Sequence, residues 1–600
     1  MQRSTTDRRA ARTRSVLFTA LLVAVALVVE PSLTDVGSVS PSASAAAPTV
    51  SRVTSTDRYA ASVAQSKQSH PSGSDVVYIA PGHVYNDAPS AVPAAVAEGA
   101  PLLFIPQNSV PSVVQAELRR LTPQRIVVIG GEASVSATAY TTLASFAPAI
   151  ERIAGADRYH TSRLIATKAF PTASAVYIAT GQRYEDGYAV ASAAGLTKRP
   201  IILMNGTAKG VDGVTLTLLK RLKTTTVLLA GPTSSVSAGI ASSIAANGFT
   251  VKRIAGADAY RTAVVANTAF KSAKRAVLAN GAAPIEGLAA SAASATLAVP
   301  LYPSPSTCVP DDAKRDMIER LKVTGITLIG GTSQLNADVA KLVDCGTLKA
   351  RQRSESEKAL AQKISGTLSN IPGWYTVSVR QLSGLKASVD VGTRAKEPAS
   401  TIKLFAAYAA LKRIDQKTLS FSTKTSSGVT VGDCMRVMIH VSDNPCHVDL
   451  IRLLGATNMN NMFNREGYTG THYTGNVGSR YYSSKTSTTR DLALLLTRLH
   501  EGKLLSAAST NHLVGLMKSQ IWRSRLASGI PNGVTQASKP GELWRSSGMV
   551  QNDTAIVYAP KGTYVVTVLG DQGATKPGIA AISRTVYSHF NGSFGTAKAY

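Results

Sequence analysis

The sequence predicts an α/β protein, with three tandem strand–helix units built on mainly parallel sheets and a further α/β domain after them. The main observation is an opening motif that occurs three times at a period of about 100 residues. Short apolar strands alternating with alanine-rich helices follow each copy, as in βα units. The chain has 600 residues, too many for a single core.

Composition narrows the classes of function. Hydrophobic residues make up 44% of the chain and charged residues 17%, which is typical of globular domains. The formal net charge is +28, and a basic surface attracts nucleic acid, anionic lipid or anionic wall polymer. With 6% aromatic residues, no nucleic-acid-binding motif and an export signal, we expect no nucleic-acid partner.

The first 47 residues have the layout of a signal peptide. Five arginines precede residue 15, an apolar run covers 16–29, and a small-residue stretch covers 42–47. The run is shorter than the roughly 20 residues of a membrane span, and an uncleaved N-terminal anchor is the alternative. We expect a secreted protein with no membrane contact after cleavage.

The four cysteines form two pairs close in sequence, Cys308 with Cys345 and Cys434 with Cys446. An even count in an exported chain predicts two disulfides. No Cys-x-x-Cys pair or clustered His/Cys spacing indicates zinc, and we expect neither metal nor cofactor.

The three units share an order of elements, and we place them at 48–150, 151–250 and 251–346. They open with related sequences, at Arg52–Tyr59, Arg152–Tyr159 and Arg253–Tyr260. A strand that ends in glycine follows, at 76–82, 175–181 and 276–281, and a later strand ends in a small-residue turn, at 126–131, 226–231 and 326–331. No pairing of nucleophile and base recurs across the units, so they predict binding rather than catalysis.

The Asp-Arg-Tyr opening, the strand ending in glycine and the Ile-Gly-Gly turn resemble the cell-wall-binding repeats of Gram-positive surface proteins. In that family, three tandem repeats together hold a protein non-covalently to anionic wall polymer. The resemblance implies the same partner here and a location at the cell wall or cell surface of a Gram-positive bacterium. The third copy departs at Ala259, where the others have arginine.

The second half begins with a polar segment, 347–358, predicted as a linker, and a domain at 359–596. A helix over 357–368 and a hairpin formed by 375–382 and 387–393 are expected first. Ser400 and Lys403 then stand three residues apart at the start of an apolar helical pattern, so they share one helix face. An amine beside a serine hydroxyl can take its proton and make it a nucleophile.

Two later elements complete a set, Ser442-Asp443-Asn444 and Lys539-Pro540-Gly541. In this order the three elements resemble the Ser-x-x-Lys, Ser-Asp-Asn and Lys-Thr-Gly motifs of the serine β-lactamase and penicillin-binding protein superfamily, closest to class A. Asn552-Asp553 and the helix opening at 488–492 agree with that family. The resemblance implies an α/β domain with an antiparallel sheet flanked by helices.

The resemblance also implies roles. Ser400 would attack a carbonyl, Lys403 would take or relay its proton, and Ser442 would protonate the leaving nitrogen. The residues expected to be catalytic are Ser400, Lys403, Ser442 and Lys539, and those expected to bind substrate are Asn444, Gly541 and Glu542. The backbone N–H groups of Ser400 and Glu542 would form the oxyanion hole.

Two departures from the family concern substrate binding and turnover. Pro540 replaces a threonine or serine whose hydroxyl helps bind the substrate carboxylate. The stretch 468–486 has no acid, whereas class A enzymes carry there a glutamate that drives deacylation, and Glu466 just outside does not fit the pattern. An acyl-enzyme should therefore form faster than it breaks.

Three hypotheses follow. The first is a wall-attached serine hydrolase that acts on β-lactams or on D-alanyl peptides of peptidoglycan. The second is a wall-bound surface protein whose hydrolase-like domain binds but no longer turns over. The third is a purely structural wall component. The first hypothesis is favoured because all five polar residues of the three motifs occur in the expected order. They are Ser400, Lys403, Ser442, Asn444 and Lys539.

Overall fold

The computed structural model describes residues 47–85, 87–475 and 484–596. Of the predicted signal peptide, only Ala47 falls within these ranges. Among the described helices, none is both long and apolar enough to span a bilayer.

Three units of alternating strands and helices make up the first half. The first consists of β1 (Thr49–Val53), α1 (Arg58–Ser69), β2 (Val76–Pro81), α2 (Ala88–Ala97), β3 (Leu102–Ile105), α3 (Ser112–Leu121), β4 (Arg125–Ile129), α4 (Ala137–Ala144) and β5 (Ala149–Ile153). The second consists of α5 (Arg158–Ala169), β6 (Ala175–Thr180), α6 (Glu185–Leu196), β7 (Ile201–Met204), α7 (Gly213–Arg221), β8 (Thr226–Ala230), α8 (Ala238–Ala246) and β9 (Thr250–Ile254). The third consists of α9 (Ala259–Ala266), β10 (Arg275–Asn280), α10 (Pro284–Thr296), β11 (Leu301–Ser304), α11 (Asp311–Arg315), β12 (Gly325–Ile329) and α12 (Ala337–Ala340).

These strands form three four-stranded parallel sheets, ordered β3-β2-β4-β5, β7-β6-β8-β9 and β11-β10-β12-β1. The strands that carry Arg152 and Arg253, β5 and β9, complete the first and second sheets. The third sheet is completed by β1, in which Thr49 pairs with Gly325 and Val53 with Ile329. The predicted mainly parallel α/β architecture is confirmed.

The opening motif holds each unit together. Its aspartate caps the following helix, as when Asp157 accepts from the His160 backbone N–H over 2.7 Å. Its second arginine donates to the carbonyl of the glycine after the first strand, over 2.6 Å from Arg158 Nη1 to Gly181 O. The tyrosine ring of Tyr159 covers the same glycine so closely that a Cβ there would lie 2.7 Å from the ring.

The third unit satisfies that carbonyl in another way. Ala259 has no donor, and the hydroxyl of Tyr184, from the second unit, donates to Gly281 O over 3.1 Å. The Tyr184 hydroxyl thus replaces the donor that is lost where Ala259 stands in place of the motif arginine.

Alanine-rich helices α2, α6 and α10 pack against one another at the centre of the three units. Small residues allow the close approach, since a Cβ on Gly195 would lie 2.7 Å from Ala295 Cβ. Burial of these apolar faces stabilises the three units as one body, because each helix removes its neighbours' surface from water.

The segment 347–358, predicted as a linker, is helical rather than irregular. It belongs to α13 (Cys345–Leu368), a single 24-residue helix. Asp344 caps it by accepting from the Thr347 N–H over 2.7 Å, and Ala, Arg, Glu and Lys are good helix formers. The predicted disulfide between Cys308 and Cys345 is present at its first residue.

The C-terminal domain contains a five-stranded antiparallel sheet with helices on both faces. Its remaining elements are β13 (Trp374–Gln381), β14 (Ser388–Val391), α14 (Lys403–Asp415), α15 (Val431–His440), α16 (Asn444–Leu454), α17 (Ala456–Arg465), β15 (His472–Tyr473), β16 (Lys485–Thr486), α18 (Thr489–His500), α19 (Ala507–Lys518), β17 (Thr535–Arg545), β18 (Gly548–Ala559), β19 (Gly562–Asp571) and α20 (Lys576–Asn591). The sheet order is β14-β13-β19-β18-β17, which leaves β17 at an edge.

Successive side chains of each strand point to opposite faces of the sheet, so a separate hydrophobic core forms on each face. Val566 faces α13 and α20 on one side of the sheet, and Val565 faces α14 and the other helices on the opposite side. The edge strand β17 and the buried helix α14 come together on this second side. The second predicted disulfide, Cys434–Cys446, joins α15 to α16 there.

Candidate active site

The predicted nucleophile lies on a short 3₁₀ turn, Ala399–Ile402, that continues directly into α14. The residue before it, Ala399, has φ of +47°, a left-handed conformation that costs about 1 kcal/mol or more for a non-glycine residue. Two anchors hold it there. Glu397 Oε1 accepts from the Ala399 N–H over 3.0 Å, and Asn552 Nδ2 donates to Glu397 O over 2.9 Å.

Ser442 lies in the connection between α15 and α16 and also has a left-handed backbone, with φ of +68°. Asp443 caps α16 by accepting from the Cys446 N–H over 2.8 Å. The Cys434–Cys446 disulfide ties the two helices on either side of this connection. Ser442 is thus held between two fixed helix ends.

The third motif lies on the edge strand β17. Proline is tolerated at an edge, where its missing N–H interrupts no ladder on the open side, and Pro540 occupies such a position. Gly541 has a steric role, because a Cβ there would lie 2.7 Å from Ser400 N and 3.0 Å from Pro398 O. Only glycine lets the strand approach the nucleophile turn this closely.

Lys403 Nζ joins the motifs. It lies 3.0 Å from Ser400 Oγ, 2.6 Å from Ser442 O, 3.3 Å from Ser442 Oγ and 2.7 Å from Asn444 Oδ1, all within hydrogen-bond distance. Lys539 Nζ approaches from the opposite side and donates to Ser442 Oγ over 2.8 Å. The five polar residues singled out in the sequence therefore form one hydrogen-bonded group.

Burial sets the electrostatics of Lys403. Only 1% of the residue is exposed, and this desolvation lowers its pKa to about 7; Asp443 opposes the shift and Lys485 adds to it. An ordinary lysine is about one part in three thousand neutral at pH 7. Lys403 is therefore available as a neutral amine at neutral pH.

Lys539 and Asp553 are buried behind Ser442. Burial lowers the pKa of Lys539 well below its usual range, and the Lys403 charge lowers it further. Burial raises the pKa of Asp553 to about 7, against the opposing charges of Arg525 and Lys539. Asp553 also accepts from the Leu526 N–H over 3.1 Å, so it positions the segment that carries Arg525.

A cavity of about 270 Å³ opens in front of this group. Ser400, Ser442, Asn444, Pro540, Gly541 and Glu542 line it, together with Trp522, Arg525 and Lys576. The last three were not predicted from the sequence. They stand in no motif, and only the packing of the segment before β17 and of the start of α20 brings them to the cavity.

Glu542 has a side-chain contact that the sequence did not predict. Its carboxylate pairs with Arg525 and lies 3.4 Å from Lys576 Nζ. Glu466, considered for deacylation, is directed elsewhere and pairs with Lys412 and the Tyr408 hydroxyl. Within the stretch expected to carry a deacylating acid, residues 476–483 lie outside the described ranges.

Known protein families match residue ranges in both halves of the chain. Residues 358–590 match the beta-lactamase enzyme family. Residues 52–140 and 152–241 match cell wall binding domain 2 (CWB2). The chain thus combines cell-wall-binding repeats with a β-lactamase-like domain. Both predicted resemblances are confirmed in kind, with two of the three predicted repeats matched.

Particular relatives cover parts of the chain. N-acetylmuramoyl-L-alanine amidase LytC of Bacillus subtilis (strain 168) is 31% identical over 188 residues, which are 31% of this chain and 37% of that protein. The Amidase enhancer of the same organism is 30% identical over 120 residues, 20% of this chain and 17% of that protein. The matches span well under half the length of these curated relatives.

Solved structures resemble one half each. Cwp6 from Clostridium difficile is 27% identical with a TM-score of 0.46, covering 50% of this chain and 48% of that chain. PBP-A is 25% identical with a TM-score of 0.36, covering 39% of this chain and 96% of that chain. A mutant of PBP-A has also been solved as an acyl-enzyme complex with penicillin G, with the same identity and TM-score.

Proposed function

We propose that the protein is a wall-attached serine hydrolase that forms an acyl-enzyme with β-lactams or D-alanyl peptides. The observation that carries this is the position of Lys403 Nζ, within hydrogen-bond distance of Ser400 Oγ and Ser442 Oγ. Both serines line the cavity of about 270 Å³. A nucleophile, a base with a pKa near 7 and a second hydroxyl for the leaving group are the parts that acyl transfer needs.

The proposed acylation uses these groups in turn. Neutral Lys403 takes the Ser400 proton while Ser400 Oγ bonds to the carbonyl carbon. The backbone N–H groups of Ser400 and Glu542 stabilise the oxyanion, and such a donor is worth about 3 kcal/mol of barrier. When the C–N bond breaks, Ser442 Oγ gives its proton to the leaving nitrogen and regains one from Lys403. Lys539 holds Ser442, and Asn444 holds Lys403.

Deacylation is proposed to be slow. Water must be deprotonated to attack the ester, and the stretch 468–486 has no acidic residue. The contacts of Glu466 with Tyr408 and Lys412 engage its carboxylate away from the cavity. The acyl-enzyme is therefore expected to accumulate, as in a penicillin-binding protein.

Intact mass after incubation with benzylpenicillin tests this function. The adduct should add the whole mass of the drug, because the leaving nitrogen stays tethered in the opened ring. We expect a persistent adduct on the unaltered chain and on a Ser547→Ala control, which alters an exposed serine, and none on Ser400→Ala. An unmodified chain that leaves the drug intact contradicts the proposal, whereas fast hydrolysis contradicts only the slow deacylation.

The repeats are proposed to attach the secreted enzyme to an anionic polymer in the wall of a Gram-positive bacterium. The CWB2 matches and the net charge of +28 support this. Because the motif arginines donate to backbone carbonyls, we assign the polymer contacts to other cationic residues. Binding of the full chain to purified walls should fall with salt and when anionic polymer is extracted, and salt-independent binding to stripped walls would contradict it.

A further inference from the structure

An acidic side chain, half exposed, lines the candidate cavity. Glu542 directly follows Gly541 on the edge strand β17 and lines the cavity together with Ser400 and Ser442. Its Oε2 pairs with Arg525 Nη2, lies 3.4 Å from Lys576 Nζ and 3.5 Å from Gln551 Nε2. Both cationic partners line the same cavity.

Arg525 is held in place by more than this pair. The residue is 3% exposed, and its Nε donates to Gln551 Oε1 over 2.7 Å. Buried Asp553 and Lys539 also act on this region electrostatically. A guanidinium fixed in this way at a cavity wall is suited to bind a carboxylate, and here Nη2 pairs with a carboxylate of the chain itself, that of Glu542.

The other lysine near Ser442, Lys539, is engaged elsewhere. Lys539 is fully buried, and its Nζ donates to Ser442 Oγ over 2.8 Å and to Pro540 O over 3.2 Å. Pro540 has no hydroxyl. Among the described residues that line the cavity, the cationic side chains are Arg525 and Lys576, and both contact Glu542.

Glu542 is ionised in this setting. Burial alone would raise its pKa, but the charges of Arg525 and Lys576 outweigh burial and lower it. An anionic ligand group that approached these cations would meet a negative charge and would have to displace it. Like charges at contact repel, and water screens the repulsion only in part where a carboxylate is half exposed, as that of Glu542 is.

We propose that Glu542 determines substrate class by occupying the anion subsite of the cavity. The native acyl donor would then be neutral or cationic where penicillins and D-alanyl peptides carry a free carboxylate, as in an amidated peptide terminus or an internal peptide bond. This inference rests on the proposed acyl-transfer function and refines its substrate.

The test compares benzylpenicillin with its methyl ester, in which the carboxylate is masked. Glu542→Gln keeps the backbone N–H and the size of the side chain but removes the charge. We expect it to raise the second-order rate constant for acylation by benzylpenicillin at least about tenfold, and to change that for the methyl ester less than threefold. Glu542→Asp, which keeps the charge, serves as the matched control and should keep the preference of the unaltered chain.

An equal change for both ligands, no change, or slower acylation by benzylpenicillin would overturn the inference while leaving the proposed function intact. If no variant forms an adduct, the proposed function fails, and a binding measurement still decides the inference. Calorimetry would compare benzylpenicillin binding to Ser400→Ala with binding to the Ser400→Ala, Glu542→Gln double variant. At least tenfold tighter binding to the double variant supports an occupied anion subsite, and any smaller gain overturns it.

Discussion

Lys403 Nζ lies 3.0 Å from Ser400 Oγ, and burial lowers the pKa of this lysine to about 7. The neutral amine is the form that accepts the serine proton, and it increases as pH rises through the pKa. We therefore expect the benzylpenicillin acylation rate constant to rise between pH 5 and 8 with a midpoint near 7, and then to level off. A midpoint near 10, as for an ordinary lysine, would contradict this.

Asn444→Asp should move that profile to higher pH. The substitution places a carboxylate where Asn444 Oδ1 now accepts from Lys403 over 2.7 Å, and a nearby negative charge favours the protonated amine. We expect the midpoint to rise by at least about one pH unit and the rate constant at pH 7 to fall about tenfold. Asn461→Asp, on the exposed face of α17, should leave the midpoint unchanged.

Gly541→Ala should block the site without unfolding the domain. The added Cβ would lie 2.7 Å from Ser400 N, so the strand or the nucleophile turn must shift. Because displacements of about 1 Å cost about a hundredfold in rate, we expect acylation to fall by that factor or more. Gly515→Ala, in α19 with open space around it, is the control and should stabilise slightly while acylation stays the same.

Arg158→Ala should weaken the second unit. The change removes the donor to Gly181 O, and a charged hydrogen bond of this kind contributes about 1.5 kcal/mol when partly exposed. Hydrogen exchange of the full chain should speed up in peptides covering 175–196. Lys209→Ala, an exposed change in the same unit, should leave exchange unaltered. If Arg158→Ala abolished wall binding with exchange unchanged, the arginine would contact polymer rather than hold the fold.

Removing the Cys434–Cys446 disulfide should affect both stability and acylation. The bridge closes a short loop, which predicts a loss of about 3 kcal/mol in the free energy of unfolding of the domain. Since it ties the helices on either side of Ser442, acylation by the folded double serine variant should slow. The matched variant at Cys308 and Cys345 should lose stability with acylation unchanged, and equal kinetics in both variants would contradict the positioning role.

Much of this arrangement could be predicted from sequence because the informative patterns are local. Ser400 and Lys403 stand three residues apart, and short apolar runs that end in glycine predicted β2, β6 and β10 and, later in each unit, β4, β8 and β12. The strands that carry the opening arginines, β1, β5 and β9, were not predicted. The helical nature of 347–358 was missed because a polar, charged segment was taken as irregular, although its residues favour helix and Asp344 caps it.

What could not be predicted depends on contacts between segments far apart in sequence. Arg525 and Lys576 meet Glu542 only through the packing of α20 and the segment before β17. In the same way, the role of Ala259 depends on Tyr184 in another unit. Neither contact produces a motif of fixed spacing in the sequence from which it could be predicted.

The pairing of β1 with β12 sets the order in which the repeats can be completed. The first described strand of the chain has no partner until residues 325–329 are available, so closing the third sheet joins segments that are very distant in sequence. Contacts of such high contact order form slowly, because loop-closure entropy opposes them. During synthesis, β1 is therefore the last strand of the three parallel sheets to gain its partner, although it is the first of them to be made. The third sheet is complete only when the first and third units are both present.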